Sequence, residues 1–103
     1  MTDILRLQIT PGHGDDVVVT LTGELDLSSR DELAAVAFDL LDNAKNVVID
    51  LSGVTFLDSA AMSTLVKVRL EADRRGAEVR LRGAKGSVAE VLAITGLDRW
   101  LSD

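Results

Sequence analysis

The chain has 103 residues, a formal net charge of −6 and 47% hydrophobic residues, which predicts one domain over 1–103 that buries roughly 60–65% of its unfolded surface. It contains no cysteine, which excludes a disulfide framework, a thiol nucleophile and a Cys-based zinc site, and makes the cytoplasm the expected compartment. The acidic balance argues against nucleic acid as a partner; Met1-Thr2-Asp3-Ile4 has no basic n-region and no run approaches ~18 apolar residues, so neither secretion nor membrane insertion is expected.

Leu5-Arg6-Leu7-Gln8-Ile9 alternates apolar and polar residues and predicts a half-buried strand. Pro11-Gly12-His13-Gly14-Asp15-Asp16 predicts a turn, and Val17 to Leu21 a second strand that pairs antiparallel with the first. Gly23 is expected to end that strand. Ser29-Arg30-Asp31-Glu32 has the spacing of a capping box, followed by a helix whose buried stripe is Leu33, Val36, Ala37, Leu40 and Leu41. The β-branched run Val47 to Leu51 predicts a third strand, with Gly53 breaking it. From Ala60 the period changes: Ala61, Leu65, Val68 and Ala72 share one face of a helix running to Arg75, and Gly76 terminates it. Val79 to Arg82 predicts a fourth strand, and a further helix begins near Ser87 and carries Val88, Val91 and Leu92 inward. Trp100 is expected to plug the C-terminal end of the core. Helices between strands two, three and four require parallel pairing by right-handed crossovers. The predicted fold is therefore α/β: a mixed, mostly parallel sheet of about four strands with an N-terminal antiparallel hairpin strand and three to four helices.

Parallel strands release their following loops at one end of the sheet, where partners of α/β domains bind. Asp26, Leu27 and Ser28, then Asp58 to Ala60, then Gly83 to Lys85 are expected to gather there. Ser59, at the start of a helix, has its hydroxyl beside unpaired N–H groups and the positive end of the dipole; that suits an N-cap, much the commoner role of such a serine, and would also stabilise a phosphate. Counting 100° per residue from Leu65 puts Met62, Val66, Ser59, Leu70 and Ser63 between about 60° and 160°, beside the buried stripe. Val66 and Leu70 read equally as core packing or as an apolar docking patch, whereas Met62, one turn from Ser59, reads as docking. The expected partner-facing set is Asp26, Leu27, Ser28, Asp58, Ala60, Met62, Ser63 and Val66.

Other candidates carry less. His13 stands alone in its turn and supplies neither a metal site nor a catalytic base. Asp50 ends a Val-Val-Ile run but lacks the acidic pair that a Mg²⁺-dependent phosphoacceptor needs, so it is expected to pair locally or with backbone amides. Lys67, Arg69, Arg74, Arg75, Arg80, Arg82 and Lys85 crowd one stretch without aromatic residues among them, and read as the solvated back of a helix and strand. The acidic front half would steer a basic protein surface or simply keep the chain soluble. No nucleophile, base and orienting group occur together, so no catalytic residue, metal or cofactor is expected.

Gly23-Glu24-Leu25-Asp26, Val47-Val48-Ile49-Asp50-Leu51-Ser52-Gly53-Val54 and Phe56-Leu57-Asp58-Ser59, in this order and spacing, closely resemble the STAS domain of bacterial anti-sigma factor antagonists. The resemblance extends through Gly76 and Val91-Leu92-Ala93-Ile94-Thr95-Gly96-Leu97. It implies a non-enzymatic regulatory module whose partner is an anti-sigma factor with serine kinase activity. That partner phosphorylates the serine of an Asp-Ser-x-Gly motif, here Ser59, to end the interaction, and a phosphatase reverses the modification. One departure is present: the motif glycine is Ala61, and Met62 follows where Leu or Val is more usual. The Ala61 methyl either occupies space a kinase needs or packs against the sheet, since its wheel position lies on the buried stripe. A constitutive STAS scaffold, or a regulatory subunit of a signalling assembly or transporter, is the alternative.

Overall fold

The β-branched run from Val47 starts a strand more than twice as long as the run itself. A computed structural model describes residues 4–43 and 45–101 of the chain; the Met1-Thr2-Asp3 opening lies outside the described residues. The elements are β1 (Arg6–Pro11), β2 (Asp16–Leu25), α1 (Arg30–Asp42), β3 (Asn46–Leu57), α2 (Ser59–Arg75), β4 (Val79–Arg82), α3 (Gly86–Thr95) and α4 (Leu97–Leu101). They form a mixed α/β fold with one four-stranded sheet in the order β1-β2-β3-β4. The β1–β2 pair is antiparallel; β2–β3 and β3–β4 are parallel.

Sequential strand order means that each crossover steps the same way. Right-handed connections stepping one way put their helices on one face of the sheet. The strand residues facing them, Val19, Leu21, Val47, Ile49, Leu51 and Val79, join Leu33, Ala37, Leu65, Val68, Leu92 and Leu101 in a single apolar cluster. The predicted α2 stripe of Ala61, Leu65, Val68 and Ala72 is buried throughout. In α1, Leu33, Ala37 and Leu41 are buried, while Val36 and Leu40 pack partly exposed against the cluster.

Neither strand glycine ends its strand. Gly23 lies inside β2 with φ +110°, and a Cβ there would stand 2.7 Å from the Ile4 carbonyl oxygen. Backbone passes so close to it that only a residue without a side chain fits. Gly53 lies inside β3 opposite Thr22, where a Cβ would stand 3.0 Å from Thr22 Oγ1 and 3.1 Å from the Leu21 carbonyl oxygen. The β2–β3 register shifts between Thr20 and Thr22 and again between Gly23 and Glu24. Bulges at these points absorb the glycines and let both strands continue.

The capping box is also absent from α1. Ser29 Oγ makes no cap bond; it accepts from the Asp26 N–H at 3.0 Å and lies 3.0 Å from the Glu24 carbonyl oxygen. The hydroxyl therefore ties the preceding loop rather than the helix. At the far end, α4 follows a left-handed Gly96, φ +78°, and the plug is Leu101, 0% exposed. Trp100 is half-buried instead, with the Arg69 guanidinium 5.1 Å from its ring centroid. The basic residues between 67 and 85 are mostly engaged one by one: Arg69 with Asp73, Arg74 and Arg75 with Glu71, Arg75 also with Asp42, Arg80 with Asp16 and Arg82 with Asp50.

Two glycine substitutions separate close approach from backbone preference. Gly23→Ala is expected to cost about 2–4 kcal/mol in urea unfolding, through strain and collision with Ile4. Gly14→Ala, at φ +58° with nothing within 4 Å, is expected to cost about 1 kcal/mol. Equal losses would show that the Ile4 contact is not limiting.

Candidate partner-binding site

The site is set by where β2 and β3 end. Leu25 is the register partner of Leu57, so the chains leaving these strands, at Asp26 and Asp58, emerge side by side. The Asp58 N–H donates to the Leu25 carbonyl at 3.4 Å. Asp58 then takes an extended conformation, φ −100° and ψ −178°, and caps α2. Its Oδ1 accepts from the Ala61 N–H at 2.9 Å. Its Oδ2 accepts from the Leu27 N–H at 3.2 Å, across 31 positions of sequence. The N-cap is thus Asp58 and not Ser59. Ser59 becomes the first helical residue, exposed at the surface.

Asp26 organises its own loop. Its Oδ1 accepts from the Ser28 hydroxyl at 2.7 Å and from the Ser28 N–H at 3.0 Å. The Ser28 hydroxyl bond, opposed by desolvation and supported by the Ser28 N–H and by Ser29, holds the Asp26 carboxyl below the usual aspartate range. With its polar groups turned inward on the loop, this segment presents Leu27, which is 64% exposed.

The shoulder of α2 carries the rest. Ser59 and Ser63 are exposed, while Ala60, Met62 and Val66 are half-buried. Leu70, three turns beyond Ser59, is 52% exposed; it is not the core residue that one of its two sequence readings made it. Met62 packs against the core cluster while remaining partly exposed. Phe56, 47% exposed at the end of β3, was absent from the expected set. The signal for it was strand alternation: Leu57 points inward, so its neighbour points out. Ala61 is 0% exposed. Its methyl packs into the core, as the second of its two readings had it.

The third loop does not join the other two. β4 pairs with β3 only from Val47 to Asp50, whereas β3 runs on to Leu57, some ~20 Å farther at strand rise. Gly83 therefore leaves the sheet beside Ser52, to whose Cβ a Cβ on Gly83 would be 3.1 Å. Asp50 is engaged at this level: Oδ1 accepts from the Ser52 N–H at 2.9 Å and Oδ2 from Arg82 Nε at 3.1 Å. Desolvation raises its pKa, but the Ser52 bonds and Arg82 outweigh it and leave the carboxyl below the usual range. His13 lies exposed in the hairpin turn. Among the described residues, no group of three or more His, Cys, Asp or Glu side chains could hold a metal ion. No described helix is long and apolar enough to cross a membrane.

The Asp26 loop has a testable pH signature. A carboxyl whose folded pKa is depressed stabilises the fold above its unfolded pKa of ~4 and loses that contribution as pH falls through the folded value. Ser28→Ala removes the leading cause. The Asp26 carboxyl titration, followed by NMR, is expected to move upward in that variant; an unchanged midpoint would mean that Ser28 does not hold the carboxylate.

Residues 6–102 match the family model described as STAS domain. A STAS-domain containing protein of Pseudomonas aeruginosa is 23% identical over 86 residues, covering 84% of this chain and 85% of that one. The anti-sigma factor antagonist SpoIIAA, in its unphosphorylated form, superposes with a TM-score of 0.80 at 21% identity, covering 92% of this chain and 84% of that one, a likeness of fold. An anti-sigma factor antagonist from Mycobacterium paratuberculosis superposes with a TM-score of 0.76 at 25% identity, covering 95% of this chain and 83% of that one. Matched over nearly all of its length by sequence and by fold, the chain belongs to the STAS-domain family.

Proposed function

We propose that this chain is an anti-sigma factor antagonist: one STAS unit over 1–103 that works in the cytoplasm, binds an anti-sigma factor with serine kinase activity and is released when that partner phosphorylates Ser59. A phosphatase restores the binding form. The module acts by binding and not by catalysis. The observation that carries this reading is the division of labour at the start of α2. Asp58 does the capping, which leaves the Ser59 hydroxyl exposed at the first helical position within a turn of the Leu27 loop.

The physical case for a switch at this place rests on opposing effects of one phosphate. About −1.5 to −2 charges at a helix N-terminus are welcomed by the unpaired N–H groups and the dipole, so the domain stays folded. The same charge beside the Asp58 carboxylate and the loop that carries the exposed Leu27 brings repulsion and desolvation to any protein docking there. Asp26, Leu27, Ser28, Ala60, Met62, Ser63 and Val66 form the proposed contact set, extended by Leu70 and Phe56, with Asp58 between the loop and the helix. A rim of serines and aspartates around a few apolar side chains fits a partner that must leave again.

The test uses the full chain, the anti-sigma factor and Mg-ATP. Intact mass and fragment mapping are expected to place one phosphate on Ser59 and none in Ser59→Ala. Ser59→Asp is expected to weaken partner binding by at least ~1.4 kcal/mol, or tenfold, while the melting temperature moves by no more than about 2 °C. Undiminished modification of Ser59→Ala, or wild-type affinity of Ser59→Asp, would overturn the proposal.

A further inference from the structure

Asp58 is the only side chain seen to join the two loops that flank Ser59 among the described hydrogen bonds, and it does so with separate oxygens. Oδ1 caps α2 through the Ala61 N–H at 2.9 Å; Oδ2 takes the Leu27 N–H at 3.2 Å. These bonds answer different needs. The first satisfies an orphan donor of the helix and is a job that Ser, Asn or Asp does about equally well. The second is not a helix requirement at all, and it needs a second acceptor aimed back across the sheet end. A carboxylate has two such oxygens, a carboxamide one, and a serine hydroxyl is too short to reach.

What the second bond holds is the loop's most exposed apolar side chain. Asp26 closes the loop on Ser28 and Ser29, which fixes its internal shape. Those bonds are all within the loop, and none of them reaches α2. The link from Leu27 to Asp58 does, and with it comes the placement of the Leu27 side chain beside Ser59. We infer that Asp58 is a positioning residue for partner docking, acting through Leu27 rather than by touching the partner. This rests on the antagonist reading above and adds to it the reason that aspartate, and not another capping residue, precedes the serine.

Asp58→Ser isolates the second role, because it keeps a cap and removes the tether. Amide hydrogen exchange of the free domain is expected to show the Leu27 amide losing protection while the Ala61 and Met62 amides keep theirs. Affinity for the anti-sigma factor is expected to fall roughly three- to tenfold, the loss typical of one hydrogen bond. A double-mutant cycle then separates positioning from contact. In a Leu27→Ala background, where there is no side chain left to place, Asp58→Ser is expected to cost less than about twofold; two residues acting independently would instead show additive losses. Asp58→Asn, which keeps the shape and a single acceptor, is expected to behave as Asp58→Ser does. Wild-type protection of Leu27 in Asp58→Ser, or additive losses in the cycle, would overturn the inference. A wild-type chain that fails to bind the anti-sigma factor would instead remove the antagonist reading, and the Leu27 amide in the free domain would still decide whether Asp58 holds the loop.

Discussion

The parallel pairing of β2 with β3 is the constraint from which the site follows. Its register carries both strands past two irregularities and brings Leu25 level with Leu57. Had β3 stopped at Leu51, the residues around Ser59 would have left the sheet near the Gly83 turn, not beside Asp26. Gly23 and Gly53 make the extension possible, because each lies where a neighbouring backbone or side chain comes within about 3 Å of a would-be Cβ. The same extension turns α2 directly from the strand end, with one residue, Asp58, between them.

Around this end the domain sorts its apolar residues sharply. Leu21, Leu25, Ile49, Leu51 and Leu65 are fully buried, and each such side chain contributes on the order of 2 kcal/mol of transfer free energy. Leu27, Phe56 and Leu70 gain little of that, being about half exposed or more. Their presence at the surface is not explained by stability. The polar groups near them are already satisfied by one another: Asp26 by Ser28, Ser29 by Asp26, Asp58 by Leu27 and Ala61. A preformed loop of this kind loses little further freedom on docking, which favours binding without demanding a large interface.

Much of the fold was legible in the sequence because its periodicities are clean. The Ala61, Leu65, Val68, Ala72 stripe, the Gly76 stop and the Val79–Arg82 strand lie where the pattern puts them. The misreadings share a cause: a local signal was given a local meaning that tertiary contact overrode. Gly23 and Gly53 read as strand breakers, but parallel neighbours hold both strands through them. Ser29 reads as a cap, but the Asp26 loop competes for its hydroxyl. Ser59 reads as a cap, but Asp58, one residue earlier, caps α2. Its second oxygen accepts from the Leu27 N–H, 31 residues away, a contact that local spacing does not reveal. The fourth of the three to four expected helices has no position in the pattern because five residues after a glycine carry too little period to read, and Leu101 rather than the larger Trp100 fills the core. Gathering of the Gly83 loop failed because four residues of β4 cannot follow twelve of β3.

The central claim is that the surface formed by the Asp26–Ser28 loop and the start of α2 is where an anti-sigma factor docks, and that a phosphate on Ser59 closes it. The most direct measurement is an amide-resolved NMR titration of the nitrogen-labelled chain with the anti-sigma factor, repeated with phosphoserine installed at position 59 during synthesis. The expected result is perturbation concentrated at Leu27, Ser28 and Asp58 through Val66, lost in the phosphoserine protein while its spectrum stays that of a folded domain. Perturbation centred on Thr20, Asp50 and Arg82 of the opposite sheet face, or the same perturbation with and without the phosphate, would contradict it.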